Sequence, residues 1–568
     1  MNAHQQATST PGGEREGLRV AMSWLHTWAG LVLGWLLFAI FLTGTLALFK
    51  TEIGLWMRPE MHGLPRVDAP AADKALATLH GRAPGVTQWI MTLPDERDPA
   101  LSLLWRDRPN GRFETLYLHP QTGQAIDTRQ TMGGDFFYRF HFELRSAQQG
   151  RWTIEGRWVV GAATMVMLVA LISGVITHRR IFKDFFTFRP AKGGQRAWLD
   201  AHNATGVLVL PFYLMIAFSG LMIFHTQYLP AGMASTYRNA QGVDTDAYLA
   251  DLLGDRAGSR PRRGPGVTAE PLPAIALAPI LRQAQARWDG GRIGSVQARR
   301  DAKGRAVVEV MRHKGDRLQY RPPRLLFDAA TGQWLGEADV SGPAAKTYGV
   351  LMGLHKAHFA GMGLRWALAG FGLLGSLTIA TGLVLWSVKR GARAQTPASR
   401  RGASGAGRAA LGERLVAGIH IATLAGLPLA CGMFLAANRL LPVGMANRAD
   451  AELAWFFGTW GAALLWALAC TVVRPSRVGW CLPLGAAGLV WAALPLLNAL
   501  TTHTHLGLTL PAGDGLWAGM DLAFLATGLV LGWLGWRLRP GRAPRAKAAN
   551  TPRTAALAAT PDISATRA

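Results

Sequence analysis

At 568 residues the chain is long enough for about four soluble domains of ~150 residues, but 49% hydrophobic residues, only 17% charged residues and 21 tryptophans exclude that reading. Several apolar runs reach the ~20 residues a helix needs to cross a ~30 Å bilayer core, so the chain reads as a polytopic membrane protein in a lipid bilayer. The net charge of +25 does not mark a nucleic-acid binder, because the basic residues flank helix ends as positive-inside topology requires.

In chain order, residues 1–22 are polar and read as a disordered cytoplasmic tail. The first transmembrane helix occupies 23–50 (Trp24 to Phe49); it is too long for a signal-peptide core and reads as an uncleaved anchor. Residues 51–156 form a small α+β domain. It holds a short helix near Asp73 to Gly81, strands ALSLLW (100–105) and FETLYL (113–118), and the turn HPQTGQ (119–124) with Gly123 at its positive-φ position. Residues 157–226 carry helices two and three, the latter an uninterrupted span from Trp198 to Phe224. Between them lies a basic cytoplasmic loop with Arg179, Arg180, Lys183, Arg189, Lys192 and Arg196.

A second soluble segment, 227–362, repeats the grammar. A helix-like run (280–288) precedes strand AVVEVM (306–311), and LLFDAATGQWLG (325–336) mirrors LYLHPQTGQAID; GDRAGSRPRRGPG (254–266) reads as disordered. Helix four covers 363–388, a basic cytoplasmic linker 389–412, and four further spans 413–536, before a disordered cytoplasmic tail 537–568. The expected fold is therefore mainly α. About eight transmembrane helices carry two extracytoplasmic α+β domains in a tandem helix–domain–helix duplication, with both termini cytoplasmic.

Histidines mark the repeat. His26 and Gly44 are eighteen residues apart, as are His202 and Gly220, and a further histidine, His141 or His355, precedes the next span. Parallel-repeat membrane proteins fold about a pseudo-two-fold axis along the membrane normal, which would bring His26 to His202 and His141 to His355. Two facing imidazoles can ligate a b-type haem, and Gly30 and Gly206, one turn from their histidines, leave room for a flat macrocycle. The plainer alternative is helix-end histidines and small-residue helix contacts; four matched ionisable residues at membrane depth favour function. His178, one turn after Gly174, is a competing ligand on the cytoplasmic side. His420, His503 and His505 lie among the C-terminal helices, and His225 and His358 near the outer face, without counterparts.

Other motifs carry less. Cys431, Cys470 and Cys481 form no CxxC or CxxCH, which excludes zinc knuckles, thioredoxin-like chemistry and thioether-attached haem. GAGRAA (405–410) follows a basic linker rather than a strand, so it is no dinucleotide fingerprint. WMRPEMH (56–62) collects Met57, Met61 and His62, a soft set that suits copper but reads more simply as packing.

The motifs LHTWAGL, FHFELR, SGVITHRRIFKDFFTFRP, WLDAHNATGVLVLPF, GLHKAHFAG and TGLVLW resemble the PepSY-associated transmembrane family of bacterial inner-membrane proteins, which includes siderophore reductases of the FoxB type; the resemblance covers about residues 20–390. It implies a membrane cytochrome passing electrons outward to a ferric siderophore from an unidentified cytoplasmic or quinol donor. Haem b, two per chain, would be bound by transmembrane histidines, and the extracytoplasmic domains would be of PepSY type. His26, His141, His178, His202 and His355 stand at matching positions. Tyr213 in the middle of helix three and the four C-terminal helices depart from the pattern. Two other functions stay open at this point: a non-enzymatic PepSY protein restraining a periplasmic partner, and a copper or iron transporter, which the near absence of carboxylates in the spans disfavours.

Overall fold

The computed structural model describes residues 11–540 apart from 68–69, 109–110, 112, 145–154, 179–193, 240–241, 254–269, 302, 339–341, 395–405 and 474–476. Most of the basic loop between helices two and three, the stretch 254–266 and the last tail residues lie outside that set.

Helix α1 (Pro11–Ala47) leads into short α2 (Lys50–Trp56); α3 (Ala72–Arg82) then precedes strands β1 (Gln88–Thr92), β2 (Leu101–Arg106), β3 (Glu114–Leu118) and β4 (Ala125–Ile126). Next come α4 (Asp135–Glu143), α5 (Gly156–Thr177), α6 (Gly194–Leu208) and α7 (Leu210–Ile223). The second soluble segment follows with α8 (Leu277–Arg287), β5 (Ile293–Arg300), β6 (Ala306–Arg312), β7 (Arg324–Asp328), β8 (Trp334–Ala338) and α9 (Pro343–Lys356). The chain continues through α10 (Met362–Ala394), α11 (Ala406–Ile421), α12 (Leu427–Leu440), α13 (Arg448–Val473), α14 (Val478–Thr501) and α15 (Gly515–Arg537). Seven helices among the described residues are long and apolar enough to cross a membrane, eight if a bent pair counts as one span.

That bent pair corrects the expectation of an uninterrupted helix three. α6 and α7 meet at 66° around Val209. Pro211 has no N–H and its ring collides with the carbonyl one turn back, so the helix restarts there with Pro211 in its first turn. The N-terminal expectation also shifts: α1 starts at Pro11, so residues 11–22 are helical and not a disordered tail.

The two soluble segments do not build two separate domains. Their strands join in one antiparallel eight-stranded sheet, ordered β8-β7-β6-β5-β1-β2-β3-β4. The seam is β1 against β5, with Trp89 opposite Ala298 and Met91 opposite Val296. These residues are buried with Leu101, Leu103, Val308, Val310 and Phe327 beneath α3 and α8, which gives the alternation of a half-covered sheet. The halves are also tied at the helices, where the Asp73 carboxylate accepts from the Leu277 and Ala278 N–H groups at 2.6 and 3.2 Å. Both TGQ turns have one geometry: Gly123 (φ 68°) and Gly332 (φ 69°) donate to the His119 and Asp328 carbonyls, each at 2.9 Å. A Cβ at Gly123 would stand 2.7 Å from the Ala75 nitrogen, so only glycine fits.

In the membrane region α1 packs against α5 and α10, α10 against α6, and α5 against α7. α1 and the bent α6–α7 pair thus lie diagonally in a four-helix bundle. α11–α15 form a second bundle in which glycines bring α14 and α15 into backbone contact; a Cβ on Gly488 would lie 2.4 Å from the Gly532 nitrogen.

Candidate functional site

The structure brings the four repeat histidines together in two pairs. His26 on α1 and His202 on α6 have ring centroids 6.1 Å apart, and His141 on α4 and His355 on α9 are also 6.1 Å apart. α4 and α9 are not themselves spans. Each is a short helix ending in a left-handed residue, Leu144 or Ala357, and it lays its histidine against a span, α4 on α1 and α9 on α7. The first pair lies toward the α1 end remote from the sheet, the second on the sheet side. Along α1, His26 and Ile40, whose carbonyl receives His141, are fourteen residues apart, or roughly 20 Å at 1.5 Å per residue.

Each imidazole has the same seat. His26 Nδ1 meets the Ala170 carbonyl at 2.8 Å, His202 Nδ1 that of Thr378 at 2.9 Å and His141 Nδ1 that of Ile40 at 2.8 Å. His355 Nδ1 reaches Ser219 Oγ at 3.0 Å and the Ile216 carbonyl. Four residues beyond each carbonyl stands a glycine: Gly174, Gly382, Gly44 and Gly220. A Cβ there would lie 3.1, 3.0, 2.6 and 3.0 Å from the imidazole it faces. Before each glycine comes a buried hydroxyl, Ser173, Thr381, Thr43 or Ser219. Each hydroxyl donates back to its own helix, as Thr43 does to the Ala39 carbonyl at 2.7 Å and Ser219 to that of Met215 at 2.6 Å.

The seats fix the tautomer. A carbonyl only accepts, so Nδ1 carries the proton and the lone pair resides on Nε2, at the opposite edge of the ring. The Ser219 hydroxyl, having given its proton to Met215, imposes the same on His355. Carbonyl-anchored Nδ1 with free Nε2 is the arrangement found behind metal-bound histidines. A metal ion between two imidazoles needs about 2 Å to each nitrogen; adding both ring radii brings the centroids to about the separation seen in each pair. Burial also favours neutral rings on the sheet side. It lowers the His141 pKa, and burial followed by the neighbouring His141 takes His355 down to about 3. Gly30 has nothing within 4 Å of a notional Cβ and leaves open space one turn from His26, whereas Gly206 is in ordinary contact with a Thr378 methyl at 3.6 Å.

Between the pairs lies Tyr213, 1% exposed. Its ring meets Phe41 edge-on at 6.1 Å, and its hydroxyl donates to the Thr205 carbonyl and contacts Thr378 Oγ1, both at 3.2 Å. It thereby stitches the break between α6 and α7 to α10.

The remaining histidines fall outside the pairs. His178 caps α5 one turn beyond Gly174, close enough to His202 to interact electrostatically, with a buried Nδ1 that has no partner among the described residues. His420 on α11 bonds Ser387 Oγ at 3.0 Å and lies 5.7 Å from the Trp35 ring. His225 is held by the Met222 carbonyl at 2.7 Å, and His503 and His505 lie in the connection after α14. The WMRPEMH set is not assembled for a metal. Met57 and Met61 are core residues, and His62 bonds the Leu55 carbonyl at 3.0 Å and stacks on Trp517. No group of three His, Cys, Asp or Glu suited to a metal ion occurs among the described residues.

The sequence reading missed the seats, although their signal is plain in retrospect: TG at 43–44, SG at 173–174, SG at 219–220 and TG at 381–382. It also missed a buried polar network at the sheet-side end of the second bundle. Arg448 pairs with Glu452 and donates to the Gln130 carbonyl; Glu452 accepts from Thr131 at 2.6 Å and Asn438 at 2.7 Å. Asp521 accepts from Asn498 at 3.0 Å and Trp56 at 3.2 Å. These carboxylates sit at helix ends and bind segments 51–62 and 129–133 to the C-terminal bundle.

Set against known families, residues 23–389 match the PepSY-associated TM region, a stretch that takes in both histidine pairs and the whole sheet and stops short of the C-terminal bundle. Comparison with curated proteins finds no match.

Proposed function

We propose, from the premise that this chain belongs to the PepSY-associated TM family, that it is a haem-containing membrane oxidoreductase that passes electrons to an iron(III) chelate of the siderophore class on the sheet side. The observation that carries this reading is the pair of imidazole pairs, each with Nδ1 anchored and Nε2 free, at two depths of one helical bundle. His26 and His202 would hold one haem b and His141 and His355 a second, with His178 beside the first pair. Haem so held supplies a one-electron couple whose potential depends on its axial ligands and surroundings.

The chain's own residues do the rest. The serine- or threonine-glycine seats orient the rings and keep Nδ1 protonated, so each Nε2 is presented without a rotameric search. Phe41 and Tyr213 fill the space between the two levels and exclude water from it. Two sites roughly 20 Å apart divide the ~30 Å apolar core into shorter steps. The substrate gains one electron, iron(III) becoming iron(II), which binds hard oxygen ligands less tightly.

Positive-inside bias supports an orientation with the sheet outside and both termini in the cytoplasm of the bacterial inner membrane. Arg390, Arg537 and Arg539 follow the spans on the side opposite the sheet. The test is an absorption spectrum of the purified protein, oxidised and dithionite-reduced, with haem counted per chain. Two b-type haems are expected; a spectrum without a reducible haem band overturns the reading.

A further inference from the structure

Beside the sheet-side histidine pair, side chains from distant parts of the chain gather around two tyrosines. Lys356, the last residue of α9 and next to His355, donates to the Tyr320 hydroxyl at 3.0 Å and lies 4.5 Å over the Tyr320 ring and 5.5 Å over that of Tyr138. Lys314, in the turn after β6, approaches the other side of the group at 5.7 Å from the Tyr320 ring, and Lys50 lies 4.8 Å over Tyr138. His358 packs 5.4 Å from Tyr320.

Two cations here are matched by carboxylates: Lys50 with Asp135 at 2.8 Å, and Arg97 with Glu52 at 2.7 Å. Lys314 and Lys356 have no carboxylate within ion-pair distance among the described residues. The half-buried Lys356 ammonium, served by the uncharged Tyr320 and Tyr138 phenols and their rings, keeps most of its field, because such contacts offset little of a charge. The imidazole of His358 registers that field. Burial, and then Lys314, Lys356, Lys50 and Arg97 in turn, push its pKa down to about 3.

We propose that this cluster is the substrate site and that it selects an anionic iron(III) chelate, with Lys314 and Lys356 against the negative ligand shell and Tyr138, Tyr320 and His358 packed behind the lysines. A tris-catecholate shell is anionic and fits this charge. A chelate carrying a free ammonium meets like charge and is disfavoured. This assignment rests on the proposed reductase reading for the identity of the metal, but its charge preference rests on the lysines alone.

The experiment uses the full chain in nanodiscs of zwitterionic lipid and redox-inert gallium(III) chelates, so that binding is read without turnover. One probe is a hexadentate tris-catecholate, the other a trihydroxamate bearing an ammonium. Titration calorimetry is expected to show the anionic chelate binding more tightly, with affinity falling as salt rises. Lys314→Gln and Lys356→Gln are each expected to weaken it by about tenfold, the loss of one charge-assisted contact, while Lys314→Arg retains it. Lys314 is exposed, so its variants test the site without disturbing the core. Equal or tighter binding of the cationic chelate, or unchanged anionic affinity in Lys314→Glu, overturns the proposal. So does loss of chelate binding on changing the discs to phosphatidylglycerol, which would assign the lysines to lipid headgroups. Haem spectra run in parallel separate the two readings. Charge-selective binding without haem removes the reductase and leaves the anion site, whereas haem without charge selection does the reverse.

Discussion

A side chain added at a seat glycine crowds the ring that rests on it. At Gly44 an added Cβ would come within 2.6 Å of His141 Nδ1, and at Gly220 within 3.0 Å of His355 Cε1. Overpacking of this kind costs about 1–3 kcal/mol, and here the ring is the part free to move. Gly44→Val and Gly220→Val are therefore expected to displace one imidazole of the sheet-side pair. If each pair holds a haem as proposed, the reduced-minus-oxidised spectrum should lose one of the two, while Gly174→Val and Gly382→Val should remove the other. Ser219→Ala is milder, because the Ile216 carbonyl still anchors His355; it should keep both haems and shift one potential. Full haem content in all four valine variants would show that the seats do not govern ligation.

Among the elements, α4 has two duties on two faces. His141 faces α1, while Phe136, Phe137 and Phe140 face the C-terminal bundle. The Phe136 ring lies 4.5 Å from that of Phe434 and 4.8 Å from that of Phe456, and Phe140 lies 6.2 Å from Trp460. The helices beyond the family match thus brace the helix that carries His141; α9, which carries His355, leans on α7 instead. Phe434→Ala removes a fully buried ring at about 3–5 kcal/mol. If the pairs hold haem as proposed, it should loosen the one at His141, seen as partial haem loss on detergent washing, with the one at His26–His202 unaffected. Equal loss from both sites would mean that the bundle only supports global stability. None of this was legible in the sequence. Eighteen-residue spacing and the TGQ turns are local patterns and are readable in the sequence. The seam between β1 and β5 joins residues some two hundred positions apart, and a pattern of period two cannot say which strand is its neighbour. The phenylalanines of α4 read equally well as core of their own domain. Pro211 was visible, but in an apolar run of membrane-spanning length its break is a property of the surrounding helices as much as of the residue.

For the whole molecule, the deciding feature is that pairing runs across the two halves and not within them. His26 meets His202 and His141 meets His355, while within the first half His26 and the seat of His141 are held apart by about four turns of α1. If each pair holds a haem as proposed, single variants His26→Ala and His202→Ala should affect the same haem, and His141→Ala and His355→Ala the other, because either loss would remove one of its two holding imidazoles. A double variant within a pair should remove no more haem than its worse single, whereas His26→Ala with His141→Ala should abolish both bands. His178 introduces one asymmetry. Its Nδ1 has no partner among the described residues and it lies near His202, so, if the first pair holds haem, His178 is placed to substitute: His26→Ala should retain more haem than His26→Ala with His178→Ala, and nothing comparable should occur on the sheet side. The same spectra resolve direction if the donor is varied. With the sheet outside, a membrane-impermeant reductant added to right-side-out vesicles should reach the His141–His355 haem first, and in inverted vesicles the His26–His202 haem. Reversed order would place the sheet in the cytoplasm, and depletion of one common haem by His26→Ala and His141→Ala would place the pairing within each half.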